Sequence, residues 1–140
     1  EILIGLVGSE MCIRDSLNYG SNKAGSLGIT INFNLWLDTD LNISPVDLYI
    51  IIGNTMDNAI EACDAFPAGH KPPISCTLRQ KNHVLLYEIS NPIPQVSVKK
   101  AGDIHGYGLE NVKECVNRNS GFISVNTEND IFCVSITLNV

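Results

Sequence analysis

The stretch IIGNTMDNAIEAC, residues 51–63, decides both the fold and the candidate site of this chain. Apolar residues in and just before it recur at helical spacing and predict one buried stripe: Leu48, Ile52, Met56, Ala59 and Cys63. Asn54, Asn58 and Glu61 share a face roughly opposite to that stripe, with Asp57 at its edge. Most polar helix faces are simply solvated. Two asparagines four residues apart in a helix centre add some support for a binding face, because asparagine is a mediocre helix former, but the spacing alone favours a solvated face.

Boundary signals place this helix at residues 44–66. Ser44 is the predicted N-cap, Pro45 the first helical residue, and Asp47 takes the third position of a capping box. Pro67 ends the helix, because a proline disfavours helical geometry in the residue before it.

Hydrophobic periodicity predicts the remaining elements. A strand with one buried face is expected at 29–37, with the inward residues Ile29, Ile31, Phe33, Leu35 and Leu37. The other predicted elements are a weak helix at 16–28, a hairpin of strands 74–79 and 83–90, a loop at 91–105, a helix at 108–121, and paired strands at 122–127 and 131–140. In the helix at 108–121, Leu109, Val112 and Val116 are expected to face inward, and Gly121 is the predicted C-cap. This order predicts an α/β (α+β) two-layer sandwich, in which helices cover one face of a mixed, mostly antiparallel sheet.

Composition narrows the class of protein. A chain of 140 residues is long enough for one domain with a sizeable core. The formal charge of −6 and the lack of a Lys/Arg stripe argue against nucleic acid and anionic membrane surfaces as partners. Five cysteines without a CxxC favour a reducing compartment over a disulfide scaffold or a zinc site, with Cys63, Cys115 and Cys133 as core residues.

Two further segments carry candidate binding residues. In HGYGLENV, residues 105–112, Gly106 and Gly108 precede a predicted helix, where the backbone can approach a ligand and free amides can bind an anion. In ISNPIP, Asn91 ends a strand, and its amide both donates and accepts, as pairing with an adenine edge requires. Taken singly, the glycine pair is a weak signal that any loop-to-helix junction can produce, and Asn91 alone is better explained as an ordinary turn residue.

Together these segments resemble a known family. NxxDNAIEA on a helix, a strand ending at Asn91, a variable loop and HGxGLxNV opening a second helix are similar to the GHKL-type ATP-binding domain of bacterial sensor histidine kinases, in the quorum-sensing-type branch. LNYGSNKAGSLGI before the first strand fits that branch, and the resemblance covers residues 17–140. It implies a Bergerat-type ATP-binding fold that uses ATP and Mg²⁺.

The resemblance also implies roles for individual residues. Asn58 would ligate Mg²⁺, and Asn54 and Glu61 would line the phosphate end as catalytic-site residues. Asn91 stands where most of the family has an adenine-reading aspartate, and NPIPQ replaces the usual DxGxG box. The remaining implied nucleotide contacts are Lys99, Lys100, His105, Gly106, Gly108 and Leu109.

The reaction implied is phosphoryl transfer from ATP to a histidine on separate dimerisation helices. His70 lies in a predicted turn, His83 begins a predicted strand, and His105 lies in the predicted loop. None of the three lies on a helix beside a carboxylate, as a phosphoacceptor histidine would. We therefore expect a truncated domain without its phosphoacceptor, unable to phosphorylate itself. Its expected partners are its own dimerisation helices and a response regulator, within a membrane-anchored homodimer whose ATP-binding domain is cytoplasmic.

Two other functions fit parts of the same pattern. The missing DxGxG box favours a non-catalytic nucleotide-binding or interaction module. A serine kinase of the anti-sigma-factor type would have a similar fold and would need no internal histidine.

The segment VGSEMCIRDS, residues 7–16, fits neither a helix nor a strand template as a whole. EMCIRDS resembles the translated transposon end used in preparing sequencing libraries, so residues 1–16 are predicted to be non-native. The alternative is a divergent native N-terminus. Amplifying the gene across this junction from source DNA distinguishes the two.

Overall fold

The computed structural model describes the backbone of residues 2–37, 43–94 and 98–140, and the side chains of 13–37, 43–94 and 108–140. The elements in chain order are α1 Ile2–Ser26, β1 Ile31–Trp36, α2 Pro45–Asp64, β2 Ile74–Lys81, β3 Val84–Pro92, α3 Val98–Arg118, β4 Phe122–Glu128 and β5 Ile131–Asn139.

The strands form one five-stranded sheet in the order β1-β2-β3-β5-β4. β1 pairs with β2 in parallel, and the other three pairs are antiparallel. Alternate residues of β3 are buried, including Leu85, Tyr87 and Ile89, and they face the layer formed by α2 and α3. The predicted mixed, mostly antiparallel two-layer sandwich is confirmed.

A buried hydrogen bond fixes α2 on the centre of the sheet. The hydroxyls of Thr55 and Tyr87 lie 2.7 Å apart, and Tyr87 is 1% exposed. The Thr55 hydroxyl also lies 2.7 Å from the Ile51 carbonyl oxygen, to which it donates. Because both hydroxyls are satisfied, this polar pair can stay in the core without the cost of an unpaired group.

The first helix is longer than predicted. The prediction was a weak helix at 16–28 and no regular element before it, but α1 begins at Ile2. Its buried residues Ile13, Leu17 and Ala24 recur at helical spacing. Leu17 and Ala24 lie in the predicted helix, whereas Ile13 lies in the segment that fits no helix template as a whole. The non-native origin of residues 1–16 stays a prediction.

The third helix also starts earlier than predicted. Residues 98–105 were assigned to a loop because Pro92, Pro94 and nearby glycines break helices, yet α3 begins at Val98. Both prolines precede the helix, and a helix whose C-terminal half packs on the core extends at little cost once nucleated. At its other end the left-handed residue is Ser120, with φ 54°, and not the predicted Gly121. The Gly121 amide donates to the Val116 carbonyl oxygen at 2.9 Å.

Three smaller predictions were wrong. Leu35 is 46% exposed. It lies on β1, an edge strand that has only β2 beside it in the sheet, so fewer residues surround its side chain. Cys133 is half-buried, since it alternates with the buried Val134 and faces away from the helices. Ser44 and Pro45 start α2 as expected, but Ser44 makes no side-chain cap bond. The carboxylate of Asp47 binds α3 instead of closing a capping box.

Asp47 links the N-terminus of α2 to the C-terminus of α3. Arg118 donates to one carboxylate oxygen at 2.9 Å, and Asn119 donates to the other at 3.0 Å. These hydrogen bonds, first that of Arg118, lower the pKa of Asp47. The contact joins residues far apart in sequence and helps to hold α3 beside α2.

We expect Asp47→Asn to lower the free energy of unfolding by about 1–2 kcal/mol at neutral pH. Because the folded state lowers the pKa of Asp47, its carboxylate stabilises the fold fully at pH values above the unfolded-state pKa of about 3.9. This stabilisation is lost as the pH falls through the folded-state pKa. Urea denaturation at pH 7, 5, 4 and 3 should show the two proteins converging at the acid end. A difference that does not change with pH would contradict this account.

Candidate functional site

The polar face of α2 lies between two neighbouring helices. On one side α1 approaches so closely that a Cβ at Gly20 would lie 2.6 Å from Met56 Cγ. On the other side Gly108 of α3 lies against the amide of Asn58. On a helical wheel Asp57, Glu61, Asn54 and Asn58 occupy, in that order, an arc of about 100° between these two contacts. The surface of α2 between α1 and α3, called the groove below, therefore carries amides and carboxylates.

Asn58 of this polar arc has a buried hydrogen-bond donor without a partner. The residue is 8% exposed, and its Nδ2 atom has no hydrogen-bond partner among the described residues. A buried amide left unpaired costs about 1–3 kcal/mol. Its donor is thus available to an acceptor on a bound molecule.

Gly108 leaves space beside that amide. A Cβ built on Gly108 would lie 3.5 Å from Asn58 Nδ2, 3.6 Å from Asn58 Oδ1 and 3.8 Å from Asn54 Cβ. These are ordinary contact distances, so glycine at this position brings the α3 backbone close to both asparagines without strain. The two segments quoted from the sequence, around residues 58 and 108, do meet.

The other residues of the polar arc differ in exposure. Asn54 is half-buried, whereas Glu61 is exposed. Asp57 forms an ion pair with Lys23 of α1, with 3.0 Å between Nζ and Oδ1. Lys23 has no signature in the sequence, because a contact between residues 34 positions apart leaves no periodic signal.

Asn91 is buried at the end of β3, with 2% of its side chain exposed. Its Nδ2 donates to the Pro92 carbonyl oxygen at 3.0 Å, and its Oδ1 is the atom of the amide that can accept a hydrogen bond. The loop after α2 leads into Ile74, the first residue of β2, which lies beside the Asn91 end of β3. Asn58, C-terminal to Thr55 in α2, is therefore displaced towards the same end of the sheet as Asn91.

The remaining predicted contacts lie in the first half of α3. The side chains of Lys99, Lys100, His105 and Gly106 lie outside the described residues. Leu109 is half-buried and packs on the core, so any contact it makes with a nucleotide would come from its backbone.

The donor set fits a magnesium ion held mainly by a nucleotide. The described residues contain no group of three or more His, Cys, Asp or Glu side chains that could hold a metal by themselves. The amide oxygen of Asn58 is a hard ligand, and Mg²⁺ commonly takes one or two protein oxygens together with phosphates and waters. The residues present fit that mode.

A family model for the GHKL domain matches residues 43–139, which include Asn54, Asn58, Asn91 and Gly108. The chain belongs to the GHKL family. A search of curated proteins finds no significant match. Within the described part of this GHKL domain, no helix is both long and apolar enough to cross a membrane.

Solved structures share the fold of this GHKL domain. The catalytic domain of histidine kinase ThkA is similar with a TM-score of 0.68 at 18% identity, over 93% of this chain and 92% of that one. The Mycobacterial sensor histidine kinase MprB gives 0.67 at 17% identity, over 93% and 94%. The Acinetobacter baumannii histidine kinase AdeS gives 0.70 at 13% identity, over 93% and 64%. The fold is that of histidine kinase catalytic domains.

Proposed function

We propose that this GHKL domain binds ATP with Mg²⁺ in the groove between α1 and α3 and acts as the catalytic domain of a sensor histidine kinase. The observation that carries the proposal is the buried, unpartnered amide of Asn58 facing Gly108. A phosphate oxygen accepts the hydrogen bond that the protein leaves unmade, and the adjacent glycine gives it room. The family membership and the shared fold support the same assignment.

Each residue of the groove has a role in this proposal. The bound magnesium would supply neutralisation of the charge that develops during phosphoryl transfer. Asn58 would hold the metal through Oδ1 and would donate from Nδ2 to a phosphate oxygen, while Asn54 would orient the phosphates beside Gly108. The exposed Glu61 lies at the open side of the groove, where an incoming acceptor would meet it.

Gly108→Ala separates binding from folding. The added methyl group meets nothing closer than 3.5 Å, so it causes no clash, and alanine favours the helix by about 1 kcal/mol. The same methyl group fills the space beside the Asn58 amide. We expect unchanged or higher thermal stability and about tenfold weaker Mg-ATP binding by calorimetry.

Gly53→Ala is the matched control, because it adds a methyl group to open space in the interior of α2. Equal affinity of the Gly108→Ala variant and the wild type would place the nucleotide elsewhere.

Asn91 is the proposed adenine contact, with its oxygen accepting from the exocyclic amino group. Asn91→Leu should weaken ATP binding about tenfold and reduce the preference for ATP over GTP, because the acceptor is lost. Asn91→Asp should bind at neutral pH and weaken at acid pH, since a buried carboxylate has a raised pKa and loses acceptor strength when protonated. Competition titrations with both nucleotides measure this. An unchanged preference in the Leu variant would remove Asn91 from the site.

The acceptor histidine is proposed to come from dimerisation helices of the intact protein, a membrane-anchored homodimer that passes the phosphate to a response regulator. His70 and His83 are exposed and lie outside helices. Incubating the domain with a purified histidine-kinase dimerisation domain and labelled ATP should give acid-labile phosphate on that domain. Acid-stable phosphoserine on a protein substrate would instead indicate the serine kinase, and the absence of any Mg-ATP heat would indicate a module that binds no nucleotide.

A further inference from the structure

Lys23 of α1 sits at the edge of the proposed phosphate groove. Its amine pairs with Asp57 at 3.0 Å and lies 6.0 Å from the ring centroid of Tyr19. Asp57 immediately precedes Asn58 in the helix. A cavity of about 180 Å³ between α1 and α2 is lined by Asn54 and Asp57 together. Asp57, the ion-pair partner of Lys23, thus lines the same cavity as Asn54, a residue of the phosphate end.

The polar arc of α2 is acidic, so the ion pair with Lys23 affects the charge that a nucleotide would meet there. The helix Pro45–Asp64 contains no Lys, Arg or His, and its polar arc carries the carboxylates of Asp57 and Glu61. A magnesium-bound triphosphate has net negative charge, so both carboxylates would repel it. Lys23 counters both of them: its hydrogen bond to Asp57 is the main cause of its raised pKa, and Glu61 raises it further.

We infer that Lys23 is a positioning residue for the nucleotide: by pairing with Asp57 it neutralises the acidic edge of α2, so that the phosphates can lie beside Asn58. This inference depends on the proposed ATP site. Lys23 acts through Asp57 and does not need to touch the nucleotide. It makes α1, the helix that enters the domain, part of the electrostatics of the site.

Substitutions of Lys23 and of Asp57 should change the affinity for Mg-ATP in opposite directions. Lys23→Met should weaken Mg-ATP binding about fivefold, because Asp57 is left unpaired next to the phosphates. Asp57→Asn should tighten binding by about twofold or more, because the repulsive carboxylate is removed. The double variant Lys23→Met/Asp57→Asn should return to within about twofold of wild type, which is the coupling expected of interacting neighbours. Lys23→Arg should retain wild-type affinity.

Calorimetric titrations with Mg-ATP and Mg-ADP at low and high salt measure these effects. We expect the loss in Lys23→Met to be larger for Mg-ATP, which carries the additional phosphate, and to shrink at high salt because the interaction is partly exposed. Thermal denaturation of each variant verifies folding. If Lys23→Met does not fold, the direction of the affinity change in Asp57→Asn alone tests the inference.

An ion pair with a merely structural role gives a different pattern. Asp57→Asn would then weaken binding or leave it unchanged, and either result overturns the inference, as does equal affinity of Lys23→Met and wild type. If wild type binds Mg-ATP and these results appear, only the role of Lys23 is wrong. If wild type itself gives no binding, the ATP site and this inference are both overturned.

Discussion

Asn58→Ala should reduce Mg-ATP binding by about two orders of magnitude, because one substitution removes both the metal ligand and the phosphate donor. The melting temperature should change little. The amide lost is buried and has an unpartnered Nδ2 atom in the described structure, so its removal relieves a cost of about 1–3 kcal/mol that partly offsets the lost packing. Calorimetry measures affinity, and thermal denaturation measures stability on the same samples.

Asn117→Ala is the matched control for that result. Asn117 also lies in a helix, in α3, but its side chain is exposed. Its substitution should leave affinity within about twofold of wild type, as surface substitutions usually change little. If Asn58→Ala binds Mg-ATP as tightly as the control, the unpartnered amide has another explanation and the proposed metal ligand is wrong.

Gly121→Ala should destabilise the fold by about 3 kcal/mol or more and lower the melting temperature by roughly 10 °C. A Cβ at Gly121 would lie 2.3 Å from the Thr137 carbonyl oxygen and 2.9 Å from Leu138 Cδ2. The first of these is a backbone atom of β5, which is paired on both sides by β3 and β4. It cannot move away without disturbing the ladder, so the clash has no inexpensive relief.

The control for this second prediction is Gly53→Ala, which meets no atom within 4 Å and sits in the middle of α2. It should raise stability by up to about 1 kcal/mol. Urea denaturation of both variants gives the comparison. Similar stability of Gly121→Ala and wild type would mean that the close approach of α3's end to β5 is not required by the fold.

Periodic features of the fold could be predicted from the sequence. The apolar pattern of β2, β3 and β5 predicted their positions, because each of these strands has one face on the core. The spacing of Asn54 and Asn58 on a helix with an opposite apolar stripe predicted a shared polar face for the same reason. These patterns are set by local geometry and by one buried side.

Features that depend on distant contacts could not be predicted. Asp47 has the sequence position of a capping residue, yet Arg118, 71 residues away, takes its carboxylate. Lys23 is an ordinary lysine until the fold places it against Asp57. The early start of α3 likewise depends on the packing of its later turns, which outweighs the low helix propensity of Gly102 and Gly106 in its first half.

The central claim is that Asn54, Asn58 and Gly108 converge on one magnesium-bound triphosphate. A crystal structure of the domain with Mg²⁺ and a non-hydrolysable ATP analogue tests it most directly. The account predicts a metal ligated by Asn58 Oδ1 at about 2.1 Å, with the phosphates between α1 and α3 beside Gly108. An analogue bound outside that groove, or a metal without a contact to Asn58, would contradict it.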